Sequence, residues 1–271
     1  MTTLQAILNR QNDNGGPFWS REGGNIHAPL GYSTIDTLYV LGEIGILAKD
    51  NPLIEKAVDF VFTYQTPEGS FRYSPSSSKF PCITAQILAT LMKLGIKNTR
   101  IEKGCQWLLD TQWKDGGWRC ATVKLGKSPF TDASNPGTTL YVLDAFRFRN
   151  NKLYELDKLN QGVDFLLQHW EVRQPVGPCS FGIGSRFLKI EYPFLRYNIF
   201  YYVYVLSFYS QAVNDNRFQE AFQHLAGKIR NDELIPENPH KAWQEFDFAK
   251  KGQISDSGTK RWKEIKNNLQ K

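Results

Sequence analysis

Two carboxylates stand where acid chemistry could be done. Asp36 lies in Ser33-Thr34-Ile35-Asp36-Thr37, at the start of an apolar stretch. A carboxyl facing an apolar cavity has a raised pKa and can act as a general acid. The spacing Ser33-x-x-Asp36 is also that of a capping box, where the acid serves only the helix end, and this is the simpler reading. Asp132 sits in Asp132-Ala133-Ser134-Asn135-Pro136, just ahead of another apolar stretch. Tyr32, Tyr39, Trp118, Tyr141, Tyr197 and Tyr201 offer aromatic faces that suit an apolar chain and stabilise positive charge. Arg119 and Arg196, with Arg72, Lys79, Lys124, Lys127 and Arg186, fall in loops where cations could meet a diphosphate. Asp144 and Arg147 are three residues apart, the spacing of a pair on one helix.

Metal ligands are harder to find. Cys82, Cys105, Cys120 and Cys179 form no Cys-x-x-Cys pair, and His27, Cys82 and Asp132 are far apart in the chain. No local spacing marks a metal site, and no metal ligand is assigned; the cysteines read as small core residues in a reduced, cytoplasmic setting. No phosphate-binding glycine loop and no nucleic-acid motif is present.

These residues belong to a repeated frame. Lys103-Gly104-Cys105-Gln106-Trp107-Leu108 leads to Gln112 and then to Gly116-Gly117-Trp118. Gln65 is followed by Gly69-Ser70-Phe71, and Gln11 by Gly15-Gly16-Pro17-Phe18-Trp19. A degraded copy runs from Gly162 to Leu167, with Trp170 in the place of the Gln and Gly177-Pro178-Cys179-Ser180-Phe181 as its turn. A fifth, from Ala221 to Pro236, is a shadow. The markers recur about every 50 residues, the period of a helix-pair repeat.

Before each marker lies an amphipathic helix. Ile54, Ala57, Val58, Val61 and Phe62 recur at helical spacing, as do Leu156, Leu159, Val163, Leu166 and Leu167. One apolar stripe and one wet face predict an outer helix. After each marker comes a loop and then a stretch apolar nearly all round, at 35–47, 83–94, 138–146 and 197–209. Such helices are buried. Pro81, Pro136 and Pro193 suit their first turns, and Gly95 suits a C-terminal cap. An open solenoid would expose one side of the apolar helices. The expectation is therefore an all-α protein, an α/α toroid closed from about five helix pairs as one domain over 1–271. A Gln at a helix end can satisfy backbone groups of the neighbouring repeat, and an aromatic can pack over the junction. The motif is thus expected to be a staple between repeats rather than a catalytic element.

The pattern Lys103-Gly104-x-x-Trp107-Leu108-x-x-x-Gln112-x-x-x-Gly116-x-Trp118 resembles the QW repeat of squalene and hopene cyclases. The same repeat family includes the β subunits of protein prenyltransferases. The likeness is complete at Lys103–Trp118, partial at Gln65 and Gln11, and weaker elsewhere; the run from Trp243 to Trp262 resembles the closing repeat of stand-alone prokaryotic members. It implies an α/α toroid whose central cavity holds an isoprenoid, acted on by a prenyltransferase or a non-standard terpenoid cyclase. The departures matter as much. Family cyclases protonate their substrate with an Asp-x-Asp-Asp motif, and none is present. An Asp-Asp-x-x-Asp for magnesium diphosphate is also missing. The prenyltransferases hold zinc through an Asp-x-Cys pair and a His; here Asp132-Ala133-Ser134 has a poor zinc ligand, Ser, in place of the thiolate. Magnesium or zinc are the cofactors the resemblance would bring, and neither is assigned. The expected partner is an isoprenoid diphosphate or lipid-like small molecule, with no nucleic acid. The formal charge of +6 suits an anionic ligand or peripheral membrane contact. No apolar run is long enough to span a bilayer. The alternative is a non-catalytic toroid that binds a protein or peptide.

Overall fold

The computed structural model describes residues 2–119 and 132–270. Their regular structure is helical, with only isolated β-bridges. Contacts gather the chain into two compact units, Met1–Asp110 and Thr111–Lys271.

The first unit holds α1 (Thr3–Leu8), α2 (Thr34–Glu43), α3 (Pro52–Phe62), α4 (Pro81–Lys93) and α5 (Thr99–Asp110). Every residue of α2 is buried, and α4 is buried on nearly all sides. These two pack against each other, with α3 beside α2 and α5 beside α4. The outer helix α3 buries Ile54, Ala57, Val58, Val61 and Phe62, the stripe expected from their spacing. Pro81 opens α4 at a position that needs no backbone donor. Gly95 closes it with φ 85°, donating to Met92 O while Ile96 donates to Leu91 O.

The second unit holds α6 (Pro136–Phe146), α7 (Leu153–Val172), α8 (Ile199–Leu206), α9 (Ser210–Val213), α10 (Asn216–Ala226) and α11 (Asp256–Asn268). Here α6 and α8 are the buried pair, α7 and α10 cover them, and α11 packs on α8. Two expectations need correction. The fourth inner helix starts at Ile199, not near Pro193, because Asn198 caps it by accepting from the Phe200 and Tyr201 amides. It also stops at Leu206, where the Ser207 hydroxyl bonds back to Tyr204 O. Leu156, placed in the buried stripe of α7, is exposed; Leu159, Val163, Leu166 and Leu167 are buried as expected.

The turns marked by Gln65 and Gln112 repeat the same geometry. Gln65 Nε2 donates to Gly69 O at 3.1 Å within its turn and to Arg100 O at 2.8 Å in the next outer helix. Gln112 Nε2 does the same with Gly116 O at 2.6 Å and Lys158 O at 2.7 Å. The aromatic that ends each turn is fully buried, and its amide donates to a threonine of the following inner helix, Phe71 to Thr84 and Trp118 to Thr139, both at 3.0 Å. Glycine is required where the next helix presses on the turn. A Cβ on Gly69 would lie 2.4 Å from Lys103 O, and one on Gly116 would lie 2.9 Å from Gln161 O. In the degraded copy Trp170 keeps the link by donating Nε1 to Glu220 of α10 at 3.3 Å.

Candidate functional site

Charge inside the apolar inner helices is costly unless paired, so each such residue calls for a reason. In the first unit Glu43, at the end of α2, forms an ion pair with Lys93, at the end of α4. Their side chains are 0% and 4% exposed. The Lys93 ammonium also lies 3.9 Å from the centroid of the Tyr39 ring. Gly42 makes room for the lysine, since a Cβ there would meet its stem at 2.8 Å.

In the second unit the buried charge sits on α6. Asp144, with no exposed surface, accepts from Arg147 one turn later and from the Tyr201 hydroxyl of α8 at 2.8 Å. The Asp144–Arg147 pair expected from their spacing is thus present. The guanidinium stacks over three rings, Phe148 at 4.1 Å, Phe208 at 4.6 Å and Tyr204 at 4.9 Å. Around this centre the rings form a wall. Phe194 stacks on Tyr201 at 5.0 Å and on Tyr204 at 5.1 Å, and Tyr141 lies 6.0 Å from Tyr201. Tyr204 in turn donates to Glu264 of α11 at 2.7 Å. The cluster offers aromatic faces and hydroxyl donors, with Asp144 paired to Arg147 and Glu264 to Arg261.

The residues nominated from sequence are spread wider than this centre. Asp36 is tied into the first turn of α2, where Oδ2 accepts from Gly31 N, Ser33 N and Ser33 Oγ, so the capping box is real. His27 lies near enough for the Asp36 charge to act on it, and burial, the larger effect, lowers its pKa. Asp132 is exposed and held by Arg119 and Lys114, whose hydrogen bonds lower its carboxyl pKa. Tyr32 is half-buried just before α2, and its carbonyl accepts from Asn14 at 2.8 Å. Trp118 is a buried element of its turn, packed over Gly162. Tyr197 bonds His169 Nδ1 at 3.0 Å. His169 Nε2 faces the carbonyls of Gln174 and Phe181, so that nitrogen carries the proton and Nδ1 accepts from the phenol. Burial lowers the His169 pKa and raises that of Tyr197. Arg196 binds Glu191 and the Asn238 carbonyl, and Arg119 also lies over the Trp113 ring at 4.5 Å. Lys124, Lys127 and Cys120 lie outside the described residues.

Zinc does not fit the place where the resemblance would put it. Ser134 Oγ donates to Asp115 at 2.5 Å, and both oxygens of Asp132 are taken by cations. Among the described residues no three His, Cys, Asp or Glu side chains are grouped to hold a metal. Tyr39, Tyr141 and Tyr201 therefore stand beside the inner-helix charges, while Asp36, Asp132, Arg119 and Arg196 serve loops and helix starts. The sequence reading does not single out Glu43 and Lys93: each is visible as a charge in an otherwise apolar helix, but nothing local joins the two.

Residues 24–209 match the family of the squalene-hopene cyclase C-terminal domain, from the loop before α2 to just past the end of α8. The chain belongs to this family. Its members are α/α toroids that bind isoprenoid substrates, and the chain's function is of the terpenoid cyclase and prenyltransferase kind. The match ends before α10 and α11. No curated protein sequence matches the chain. Among the described residues no helix is long and apolar enough to cross a membrane.

Proposed function

We propose that the chain binds an isoprenoid and acts on it as a prenyltransferase or non-standard terpenoid cyclase, as a single α/α-toroid domain over 1–271 with a central aromatic-lined cavity. The observation that carries this reading is the aromatic wall of Tyr141, Phe194, Tyr201 and Tyr204 around Asp144 and Arg147. Flat apolar faces suit a polyene, and they stabilise positive charge that develops along it. Tyr39, Tyr141 and Tyr201 contact the chain of the ligand in this reading, and Tyr32, Trp118 and Tyr197 support it. Arg119 and Arg196 meet an anionic head group in competition with Asp132 and Glu191. Asp36 and Asp132 flank the chemistry at inner-helix starts.

The ion pairs favour one branch of the proposal. Asp144 and Glu43 are each already engaged by a basic side chain, Arg147 and Lys93, so neither stands open towards a ligand as the acid of a cyclase. Prenyl transfer starts by ionising a diphosphate and needs no such acid, whereas cyclisation started by protonation does. Incubation with labelled prenyl diphosphates of several lengths tests the reading. Saturable binding or a transfer product, weakened by Tyr201→Ala, is expected; neither binding nor product overturns it.

A second reading is a non-catalytic domain that binds a protein or peptide in the cytoplasm. It is favoured by the same compensated charges, since a centre whose cations and carboxylates already satisfy one another can be purely structural. A stable partner recovered by affinity capture, with no prenyl ligand bound, would decide for it.

A further inference from the structure

We infer that a cleft on the first unit, between the Gln65 turn and the loop that leads to α4, is a binding site for the phosphoryl group of a small molecule. The cleft belongs to the first unit and the aromatic wall to the second, so the site does not depend on the isoprenoid reading. It has a volume of about 400 Å³ and is lined by residues 63–68 on one side and by Arg72, Pro75 and Lys79 on the other. Both sides are held in place by hydrogen bonds of the protein itself. Gln65 is fixed by its bonds to Gly69 O and Arg100 O. Across the cleft, Ser77 Oγ accepts from the amides of Tyr73 at 3.0 Å and Ser74 at 3.2 Å, which closes the loop on itself. A preformed cleft lowers the ordering cost of binding.

The charges select the ligand. Arg72 donates Nη1 to the Ser77 carbonyl, and among the described residues its Nε and Nη2 bond no protein group. Lys79 pairs with Glu68 at 3.3 Å, with side chains 40% and 56% exposed. Such a pair contributes little and is readily displaced. Hydrogen bonds from Thr66, from its own amide and from Lys79 hold the Glu68 carboxyl below its ordinary pKa, so it stays ionised and competes for the lysine. Beyond Glu68 the chain has no acid until Glu102. Two cations, one of them a guanidinium fork with donors left over, match the two charges and several acceptors of a phosphate monoester. Pro67 and Pro75 give an organic group an apolar surface to rest on. Other clefts lack this balance. One on the first unit is lined by Lys49 with Glu55 and Asp59, and one on α7 by Asp157 and Asp164 without a cation.

Isothermal titration of the whole chain, in a phosphate-free buffer of low ionic strength, tests the site with inorganic phosphate and with phenyl phosphate. Saturable binding of one ligand per chain is expected. Tighter binding of phenyl phosphate identifies an ester as the ligand, and equal binding identifies free phosphate. Arg72→Ala and Lys79→Ala each weaken binding about tenfold, the effect of one charge-assisted hydrogen bond. Glu68→Gln tightens it about threefold, by freeing Lys79. Lys49→Ala removes the same charge from another exposed place and leaves binding unchanged. Because Arg72→Ala also loses the bond to Ser77 O, Lys79→Ala, a change at the surface with an unchanged melting temperature, decides the matter if the first variant does not fold. Wild-type chain that binds neither probe overturns the proposal, as does undiminished binding in Lys79→Ala. A loss in Lys49→Ala as large as in Lys79→Ala also overturns it, since the probes would then follow net charge alone. No prenyl group is present, so either result leaves the isoprenoid reading to its own test.

Discussion

The inner helices of the two units handle buried charge in different ways. In the first, Glu43 and Lys93 come from separate helices, so one ion pair ties α2 to α4. In the second, Asp144 and Arg147 come from one helix, and the tie to α8 is made by the Tyr201 hydroxyl and by rings over the guanidinium. Loss of one member of a pair between helices removes the charge that ties the two helices together. A pair within a helix leaves its survivor among neighbours that still stabilise it. The first arrangement builds a joint, and the second builds a lined surface on which an aromatic wall can stand.

Breaking the joint has the largest expected effect. Lys93→Met removes the cation paired with the buried Glu43 carboxylate and costs about 3–5 kcal/mol in chemical denaturation. Adding Glu43→Leu to that variant returns stability to within about 1 kcal/mol of the parent, because two apolar residues replace a desolvated pair. The matching change in the second unit is milder. Asp144→Asn costs about 2 kcal/mol, because Arg147 keeps its three rings and Tyr201 keeps an acceptor. A loss for Asp144→Asn as large as for Lys93→Met would erase the contrast. Smaller still, Gln112→Ala removes two donors to carbonyls and costs about 1–2 kcal/mol. The same change at Gln65 costs at least as much, since it removes the matching two bonds and a third in which Gln65 Oε1 accepts from Arg100 Nε at 3.0 Å.

The smallest effect concerns pH. Burial raises the Glu191 pKa in the folded chain above its ordinary 4.5, against the opposing pull of Arg196. The folded state therefore holds this proton more tightly than the unfolded state. Stability from this group is fully present below pH 4.5 and is lost as pH rises through the higher folded value. Glu191→Gln removes that dependence, so thermal melts of the two proteins diverge from acid to neutral pH. Parallel curves would mean that Glu191 is not perturbed by its burial.

Much of the frame was legible because periodicity and turn chemistry act locally. The stripe of α3, the burial of α2, α4, α6 and α8, the capping box at Ser33 and the cap at Gly95 all follow from residues within a turn or two of one another. The staple role of Gln112 was readable from its position, and its partner Lys158 confirms it. Burial outside a helix's own pattern was harder. The start of α8 was misplaced because Pro193 looks like a helix opener, while the actual cap is Asn198. Glu43 and Lys93 were missed because their pairing depends on how α2 and α4 pack, which no short window contains. The aromatic run of α8 was visible, but which rings gather around Arg147 is a tertiary fact.

The hydrogen bonds of the turns have a consequence for how such a chain is made. Gln65 bonds a residue 35 positions ahead, Gln112 one 46 ahead and Trp170 one 50 ahead. Each reaches one repeat forward. A chain linked this way needs few distant partners before it gains order, so loop-closure entropy stays small at every step. As it leaves the ribosome, each turn waits only for the next outer helix to emerge before it is locked.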